Sequence, residues 1–481
     1  MWQLVLMING YFISILGCAM LAVAGYDMFL NSAKWSYFIN SALFSLFIGL
    51  MLFLSNRTSI KNISIRQGYL LTTTSWFSLG LLSAIPFLLY GCVPSLHDAF
   101  FEAVSGISGT GATIFADVEK LPKPILLWRS ILNMLGGIGI IIFAVALLPF
   151  LGIGGMQIFQ RENSDVNDKF MPKFHYIAKR IVLVYVFFLL CCIGSLYLCG
   201  MDWFDAVNHG FTTVSTGGFS TKNNSIAYFD SPKIEAVIMV FMILSSLPIT
   251  FYIMLMQNKF RQSIRTTQVT VFLKTVFWIV VIMALWMRIN GVNDNIFSAL
   301  RYVSFNVISV ITTTGFASTD FLSWGTFAVA SFAIISLIGG CPGSTTGSIK
   351  IFRWQVIWAF LKQSMTLAVA PKRIVPLKIK QFILSRDVVS SVLIFTTLFF
   401  ATTAVLVLLL TLCGVDLYTS FATVIACITN VGPGVVDSVG PKGNFSFFSP
   451  LVKDLLSIAM ILGRLEILTV LVVFTRGFWR D

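Results

Sequence analysis

Four times along the chain, roughly 100 residues apart, an apolar stretch ends in glycine among hydroxyl residues, and each copy lies between two long apolar runs. The first copy reads Phe100-Phe-Glu-Ala-Val-Ser-Gly-Ile-Ser-Gly-Thr-Gly-Ala-Thr113 and the second Asn208-His-Gly-Phe-Thr-Thr-Val-Ser-Thr-Gly-Gly-Phe-Ser220. The third is Asn306-Val-Ile-Ser-Val-Ile-Thr-Thr-Thr-Gly-Phe-Ala-Ser318, the fourth Thr423-Val-Ile-Ala-Cys-Ile-Thr-Asn-Val-Gly-Pro-Gly434. Aligned on Gly111, Gly217, Gly315 and Gly432, they place Thr110, Thr216, Thr314 and Val431 before the glycine. One such string is a tight turn; four in register are a structural unit used four times.

The flanking runs reach the length of about 20 residues that a helix needs to cross a bilayer. They fall near 3–29, 36–55, 68–91, 124–151, 181–200, 234–256, 270–287, 325–361, 388–413 and 450–475. The expected fold is therefore an all-α polytopic membrane protein: four span–pore-loop–span repeats around a pseudo-fourfold pore, plus an N-terminal pair of transmembrane helices. The boundaries follow as 1–65 for the pair, then 66–160, 175–260, 266–370 with an intramembrane loop at 339–348, and 380–481. Composition agrees, since 57% of residues are hydrophobic and 11% charged, where soluble domains sit near a quarter charged.

The net charge of +13 does not imply nucleic acid, because the basic residues lie in short links between apolar runs. Arg57, Lys61 and Arg66 form one cluster, and Arg161, Lys169, Lys173, Lys179 and Arg180 a second. Lys259, Arg261 and Arg265 form a third, and Lys372, Arg373, Lys378 and Lys380 a fourth. That distribution puts these links in the cytoplasm, so the glycine-bearing loops dip in from outside. Met1 to Leu30 carries no basic n-region or small-residue cleavage site and reads as a span that is retained. The eight cysteines make no CxxC pair, and His97, His175 and His209 are far apart, which leaves little for a disulfide framework, zinc or catalysis.

A dipping segment this short can hold one half-length helix and an extended return strand. Asp98, Asp205, Asp294 and Asp416 stand near the half-helix starts, where a carboxylate caps free N–H groups and complements the positive dipole end. The negative ends of four half-helices then converge on one centre, which favours a cation. Bare backbone inside a membrane needs a water-filled cavity or protein partners. Carbonyl rings around an axis answer that need by replacing an ion's hydration shell. Glycine lets the strand turn successive carbonyls one way. The loops carry no carboxylate of the kind a divalent ion requires, so a large monovalent ion is expected, bound as potassium by the carbonyls of Thr110, Gly111, Thr216, Gly217, Thr314, Gly315, Val431 and Gly432.

Ser105-Gly-Ile-Ser-Gly-Thr-Gly-Ala-Thr113, Ser215-Thr-Gly-Gly-Phe-Ser-Thr221, Ile311-Thr-Thr-Thr-Gly-Phe316 and Asn430-Val-Gly-Pro-Gly434 resemble the membrane subunit of the Trk/Ktr/HKT superfamily of potassium transporters, of the bacterial TrkH type. Gly339-Gly-Cys-Pro-Gly-Ser-Thr-Thr-Gly-Ser-Ile-Lys350 and Leu462-Gly-Arg-Leu-Glu-Ile-Leu468 extend that likeness through the chain. Ser108-Gly109 departs from a usual Thr-Thr pair, and Val431 from a frequent leucine. The resemblance implies potassium uptake across the bacterial inner membrane, a homodimer with one pore per subunit, and a separate cytoplasmic ring of nucleotide-binding TrkA-type regulatory subunits. In that superfamily a serine at the first glycine goes with sodium, so Gly111 favours potassium.

Two gate candidates stand out. Helix cannot run smoothly through Gly339-Gly340-Cys341-Pro342-Gly343, and the resemblance implies gating by that intramembrane loop through Gly340, Gly343, Ser344, Thr345, Thr346 and Gly347. The spacing to Lys350 does not make a phosphate-binding GxxxxGK[ST] loop. Arg464, in the middle of the last apolar run, is costly in a bilayer and is expected to face a cavity. The resemblance implies that it projects beneath the filter as an electrostatic barrier; a two-residue offset keeps Glu466 from pairing with it along one helix face. Lys350 and Arg353 are expected in the inner vestibule or as stop-transfer charges, and Glu102 as a support for the first loop. Rival readings are sodium or unselective monovalent transport, and a cation-coupled symporter, which would ordinarily show two related halves and embedded carboxylates. A membrane enzyme lacks its reactive cluster.

Overall fold

The computed structural model describes residues 2–58, 64–146, 170–256, 267–293, 295–380 and 382–480. Two helices, α1 (Trp2–Phe29) and α2 (Trp35–Ser55), form an antiparallel hairpin. A Cβ at Gly10 would collide with the Gly49 carbonyl, so the two backbones approach as closely as small residues allow.

Four span–loop–span units follow. The first comprises α3 (Ile65–Leu89), α4 (Leu96–Ser108) and α5 (Lys123–Ala146). In the second come α6 (Phe170–Leu198), α7 (Trp203–Val214), α8 (Pro232–Ser246) and α9 (Ile249–Met256). The third has α10 (Thr267–Ile289), α11 (Ile296–Ile311), α12 (Thr326–Ile335) and α13 (Ile351–Val369). A two-residue antiparallel ladder, β1 (Lys378–Ile379) with β2 (Phe382–Ile383), leads to the fourth. That unit holds α14 (Arg386–Leu412), α15 (Leu417–Ile428), α16 (Pro450–Arg464) and α17 (Ile467–Leu471), and a last turn, α18 (Arg476–Trp479), closes the chain. The expected all-α polytopic architecture is what the chain adopts. Among the described residues seven helices are long and apolar enough to cross a membrane, and two bent pairs add broken spans.

The return helices depart from the expected single runs. The stretch 234–256 bends by 88° between α8 and α9, and 450–475 by 110° between α16 and α17. Pro248 explains the first bend: it donates no hydrogen bond and holds Leu247 extended at φ −81°, ψ 154°. No breaker explains the second, where Glu466 sits at φ +62°. The break between α12 and α13 falls at the Gly339–Gly343 stretch, as its composition implies. Lys61 of the first basic cluster, Arg161 and Lys169 of the second, and all of the third lie outside the described residues.

Capping of the short helices α4, α7, α11 and α15 also differs from expectation. Ser95, Asp202, Asn295 and Asp416 are the capping residues, each accepting a first-turn backbone N–H, an arrangement worth about 1 kcal/mol per helix. Only Asp416 was among the expected caps. Its Thr419 N–H contact holds the Asp416 carboxyl below its ordinary pKa. Asp98 and Asp205 stand one turn further in, and Asp294 lies outside the described residues.

That placement frees Asp98 for the buried ammonium of Lys453 on α16, at 2.6 Å. Similar ties join every neighbouring pair of repeats on the outer side. Arg301 of α11 grips Glu235 of α8 through two 2.8 Å hydrogen bonds. Val118 N–H donates to Asn223, Phe445 N–H to the Thr113 carbonyl, and Lys442 lies 3.8 Å from Asp320.

Candidate functional site

The four short helices end alike. Gly109, Thr216, Thr313 and Asn430 adopt left-handed backbone, with φ of +65°, +52°, +56° and +56°. The next amide, of Thr110, Gly217, Thr314 or Val431, turns back to the carbonyl of Ser105, Thr212, Ser309 or Ala426 at 2.8 to 3.1 Å, as in a Schellman cap. One residue later the backbone is left-handed again, at Gly111, Gly218, Gly315 and Gly432. The second loop is therefore in register at Gly218, one residue beyond the glycine that the string alignment selected. Thr216 belongs with Gly109, Thr313 and Asn430, and Gly217 with Thr110, Thr314 and Val431. A left-handed residue with a Cβ costs about 1–2 kcal/mol, which Thr216, Thr313 and Asn430 bear in three of the four turns.

The second set of glycines closes a ring. A Cβ on Gly111 would stand within 3.0 Å of the Gly217 carbonyl oxygen, and one on Gly218 within that distance of the Thr314 oxygen. Gly315 faces the Val431 oxygen in the same way, and Gly432 the Thr110 oxygen. The loops thus meet in the order one, two, three, four and back to one, each glycine against a neighbouring carbonyl. All four line a cavity of about 150 Å³, whose wall includes Arg129 and Lys222.

Nine residues before each of these glycines stands a polar side chain: Glu102, His209, Asn306 and Thr423. Three of them reach across to their own return strand. Glu102 accepts the Ile114 N–H at 3.0 Å and the Arg129 Nε–H at 2.7 Å. His209 pairs with the Ser220 hydroxyl at 2.9 Å, and Asn306 with that of Ser318 at 3.1 Å. Thr423 instead donates to Thr419 of its own helix. Arg129 is the strongest brace, since it also donates to the Ser220 carbonyl and lies 4.0 Å from the Phe219 ring. Glu102 is the loop support that its position implied; Arg129 was not legible, being one cation in an apolar run.

The loop between α12 and α13 packs against the helix ends below the ring. It is sewn into the bend of the second repeat: Cys341 N–H donates to Ser246 at 3.0 Å, and Ile249 N–H to Gly343 at 2.9 Å. Ser344 and Thr346 hydrogen-bond to each other at 2.7 Å, and Gly340 packs on the Thr346 side chain. Thr345 meets the Thr216 hydroxyl at 3.1 Å, and Gly347 N–H donates to the Thr313 hydroxyl at 2.8 Å. A Cβ on Gly347 would strike the Thr429 carbonyl, and Gly109 faces the guanidinium of Arg464. Asn430 also lies against Gly347, so the left-handed residues at all four helix ends are met by the loop or by Arg464.

Arg464 ends α16, where the chain bends, and is 4% exposed. Its Nη1 donates to the Thr345 carbonyl at 2.6 Å, while Nε and Nη2 have no partner among the described residues. Glu466 pairs not with Arg464 but with Arg353 at 2.7 Å and, more distantly, with Lys350 at 4.0 Å. Lys350 and Arg353 are therefore buried partners of a carboxylate, neither vestibule charges nor stop-transfer signals. Lys350 and Glu466 are both left-handed, at φ +71° and +62°. The ion pair ties one end of the loop to the bend that follows Arg464.

Comparison with known proteins bears on these features together. The family model TrkH, described as a cation transport protein, matches residues 34–479. The Trk system potassium uptake protein TrkI of Halomonas elongata is 39% identical over 416 residues, 86% of this chain and 84% of that protein. Over 439 residues the chain is 34% identical to the Trk system potassium uptake protein TrkH of Escherichia coli K12, covering 90% and 89% of the two. The crystal structure of the potassium transporter TrkH from Vibrio parahaemolyticus superposes with a TM-score of 0.93 at 30% identity, covering 100% of both chains.

Proposed function

Because this chain belongs to the TrkH family of cation transport proteins, we propose that it is the pore-forming membrane subunit of a Trk-type potassium uptake system in the inner membrane. One observation carries the reading: four left-handed glycines, each packed on a neighbouring loop's carbonyl, closing a ring about a single centre.

In this reading potassium is the transported substrate. The carbonyls of Thr110, Gly217, Thr314 and Val431, with those of Gly111, Gly218, Gly315 and Gly432, replace its hydration shell. Thr216 sets the turn beneath them. Neutral dipoles suit a monovalent ion, because a carboxylate would hold a cation too tightly to release it. The negative ends of α4, α7, α11 and α15 add attraction without a fixed charge. A Cβ at any of the four left-handed glycines would displace a ring carbonyl, which supports their role in selection.

The loop holding Gly340, Gly343, Ser344, Thr345, Thr346 and Gly347 is the gate, with Arg464 as the charge that bars the path while it donates to Thr345. The four repeats are the chain's working units, and the chain performs transport rather than covalent catalysis. The active assembly is a homodimer on a ring of TrkA-type nucleotide-binding subunits, for which the basic cytoplasmic surface at Lys372 and Arg373 is a suitable seat. Copurification from membranes expressing both chains tests that assembly.

Selectivity is tested by reconstituting the protein in KCl-loaded liposomes and following flux against external potassium, rubidium, sodium or choline. Flux with potassium and rubidium and little with sodium is expected, and Gly315→Ser relaxes the preference. Equal sodium and potassium flux would make this a general cation pathway.

A further inference from the structure

A second cavity, of about 640 Å³, opens on the flank of the third repeat between α10, α12 and α13. Its wall is apolar where Val271, Ile334, Trp354 and Trp358 meet. At one end stand three exposed lysines: Lys362 from α13, and Lys378 and Lys380 from the ladder that follows it. Among the described residues no carboxylate lines the cavity, and the lysines paired with one are Lys120, Lys222, Lys350, Lys442 and Lys453, none of these three. Lys380 Nζ reaches the Thr270 hydroxyl at 3.4 Å, which ties the ladder to the start of α10 at the cationic end. Trp358 is 71% exposed, as suits an indole at a membrane interface.

We propose that this cavity binds an anionic phospholipid of the cytoplasmic leaflet, with an acyl chain along the tryptophan wall and the phosphate among Lys362, Lys378 and Lys380. The division of the site carries the assignment. A soluble anion would use the lysines but not the apolar wall, and an apolar helix of a second copy would use the wall but leave three cations without counter-charge. A lipid with a negative headgroup answers both, and cytoplasmic leaflets supply such lipids beside basic links.

The site also touches the gate. Leu337 and Ile338 run directly into the loop and Ile351 directly out of it, and all three line the cavity. Trp354 fixes that wall by donating its indole N–H to the Leu337 carbonyl at 3.2 Å. A bound lipid therefore packs on both ends of the loop and favours one arrangement of it.

Native mass spectrometry of the full-length protein in detergent tests the site without reference to ion flux, so failure of the transport reading would not imitate failure here. Phosphatidylglycerol and phosphatidylcholine with the same acyl chains are titrated separately. Phosphatidylglycerol is expected to be retained preferentially, and the combined Lys362→Gln, Lys378→Gln, Lys380→Gln variant to bind it roughly a hundredfold more weakly, since each interfacial lysine contributes about a factor of five. Ala359→Trp, which fills the cavity but keeps the lysines, weakens it as well. Equal retention of the two lipids, or no loss in either variant, overturns the proposal. Displacement by millimolar inorganic phosphate makes this a site for a soluble anion and overturns it too. So does a dimer that excludes lipid and persists in the triple variant, because the groove is then a seat for a second copy. In liposomes, phosphatidylglycerol should change flux through the wild type and not through the triple variant; an unchanged flux in both refutes the link to the gate.

Discussion

The outer and inner halves of this molecule are built on opposite terms. Outside, each repeat is fastened to its neighbours by buried charge pairs and strand-end hydrogen bonds, and the polar groups that brace the loops find partners: Glu102 with Arg129, Asp98 with Lys453, Glu235 with Arg301. Inside, three return helices break, non-glycine residues sit in left-handed backbone, and Arg464 keeps two donors unmet among the described residues. A carbonyl ring that must discriminate between ions tolerates little displacement, so it gains from redundant ties. A barrier that must open needs few ties, each replaceable when it moves.

The largest effect should come from the ring. Gly218→Ala puts a Cβ into the Thr314 carbonyl at φ +71°, and left-handed strain plus overpacking amount to several kcal/mol, on the order of a hundredfold in uptake or more. Gly217→Ala collides first with the Asn133 side chain. Adding Asn133→Ala should restore uptake to Gly217→Ala and not to Gly218→Ala, measured by growth of an uptake-deficient host on low potassium. Rescue of both would reject Gly218 as the ring glycine of the second loop.

Next comes the brace. Glu102→Ala strands the guanidinium of Arg129, 2% exposed, and should cost about 3–5 kcal/mol, read as a lowered melting temperature in detergent. A smaller change is expected inside. Arg464→Gln removes one charged hydrogen bond to the Thr345 carbonyl, worth about 1.5–3 kcal/mol, so flux without any regulatory partner should rise roughly ten- to hundredfold. Unchanged or reduced leak would mean that the arginine does not bar the path. At the outer rim, Lys442→Ala breaks an exposed 3.8 Å pair with Asp320 and should shift stability by less than about 1 kcal/mol. A larger loss there would show that the outer ties are not redundant.

The apolar runs, the four loops and the break at Gly339–Gly343 were legible because each rests on local chemistry: apolar length, glycine, proline. Register in the second loop was not, since Gly217 and Gly218 are the same residue type and only a contact with the Thr314 carbonyl separates them. A nine-residue offset from a polar brace does not separate them either, because Asn208 stands nine residues before Gly217 as His209 does before Gly218. Pro248 likewise marked the bend after α8. The bend at Glu466 had only Gly463 as a local mark, and it coincides with an ion pair to Arg353 on a different repeat that sequence does not reveal. The caps at Ser95 and Asp202 were missed because an acidic residue one turn later drew the reading inward.

The ring closes only when Gly432 reaches the Thr110 carbonyl, and Asp98 meets its counter-ion only when Lys453 arrives. During translation, then, the first loop enters the bilayer long before the residues that complete it exist. A nascent chain three-quarters made has an open seam and an acidic group without its cation. Assembly of this pore is a last-step event: ribosomal pausing or truncation before Gly432 would yield an inserted chain with no closed ring, and truncation before Pro450 one with Asp98 unpaired.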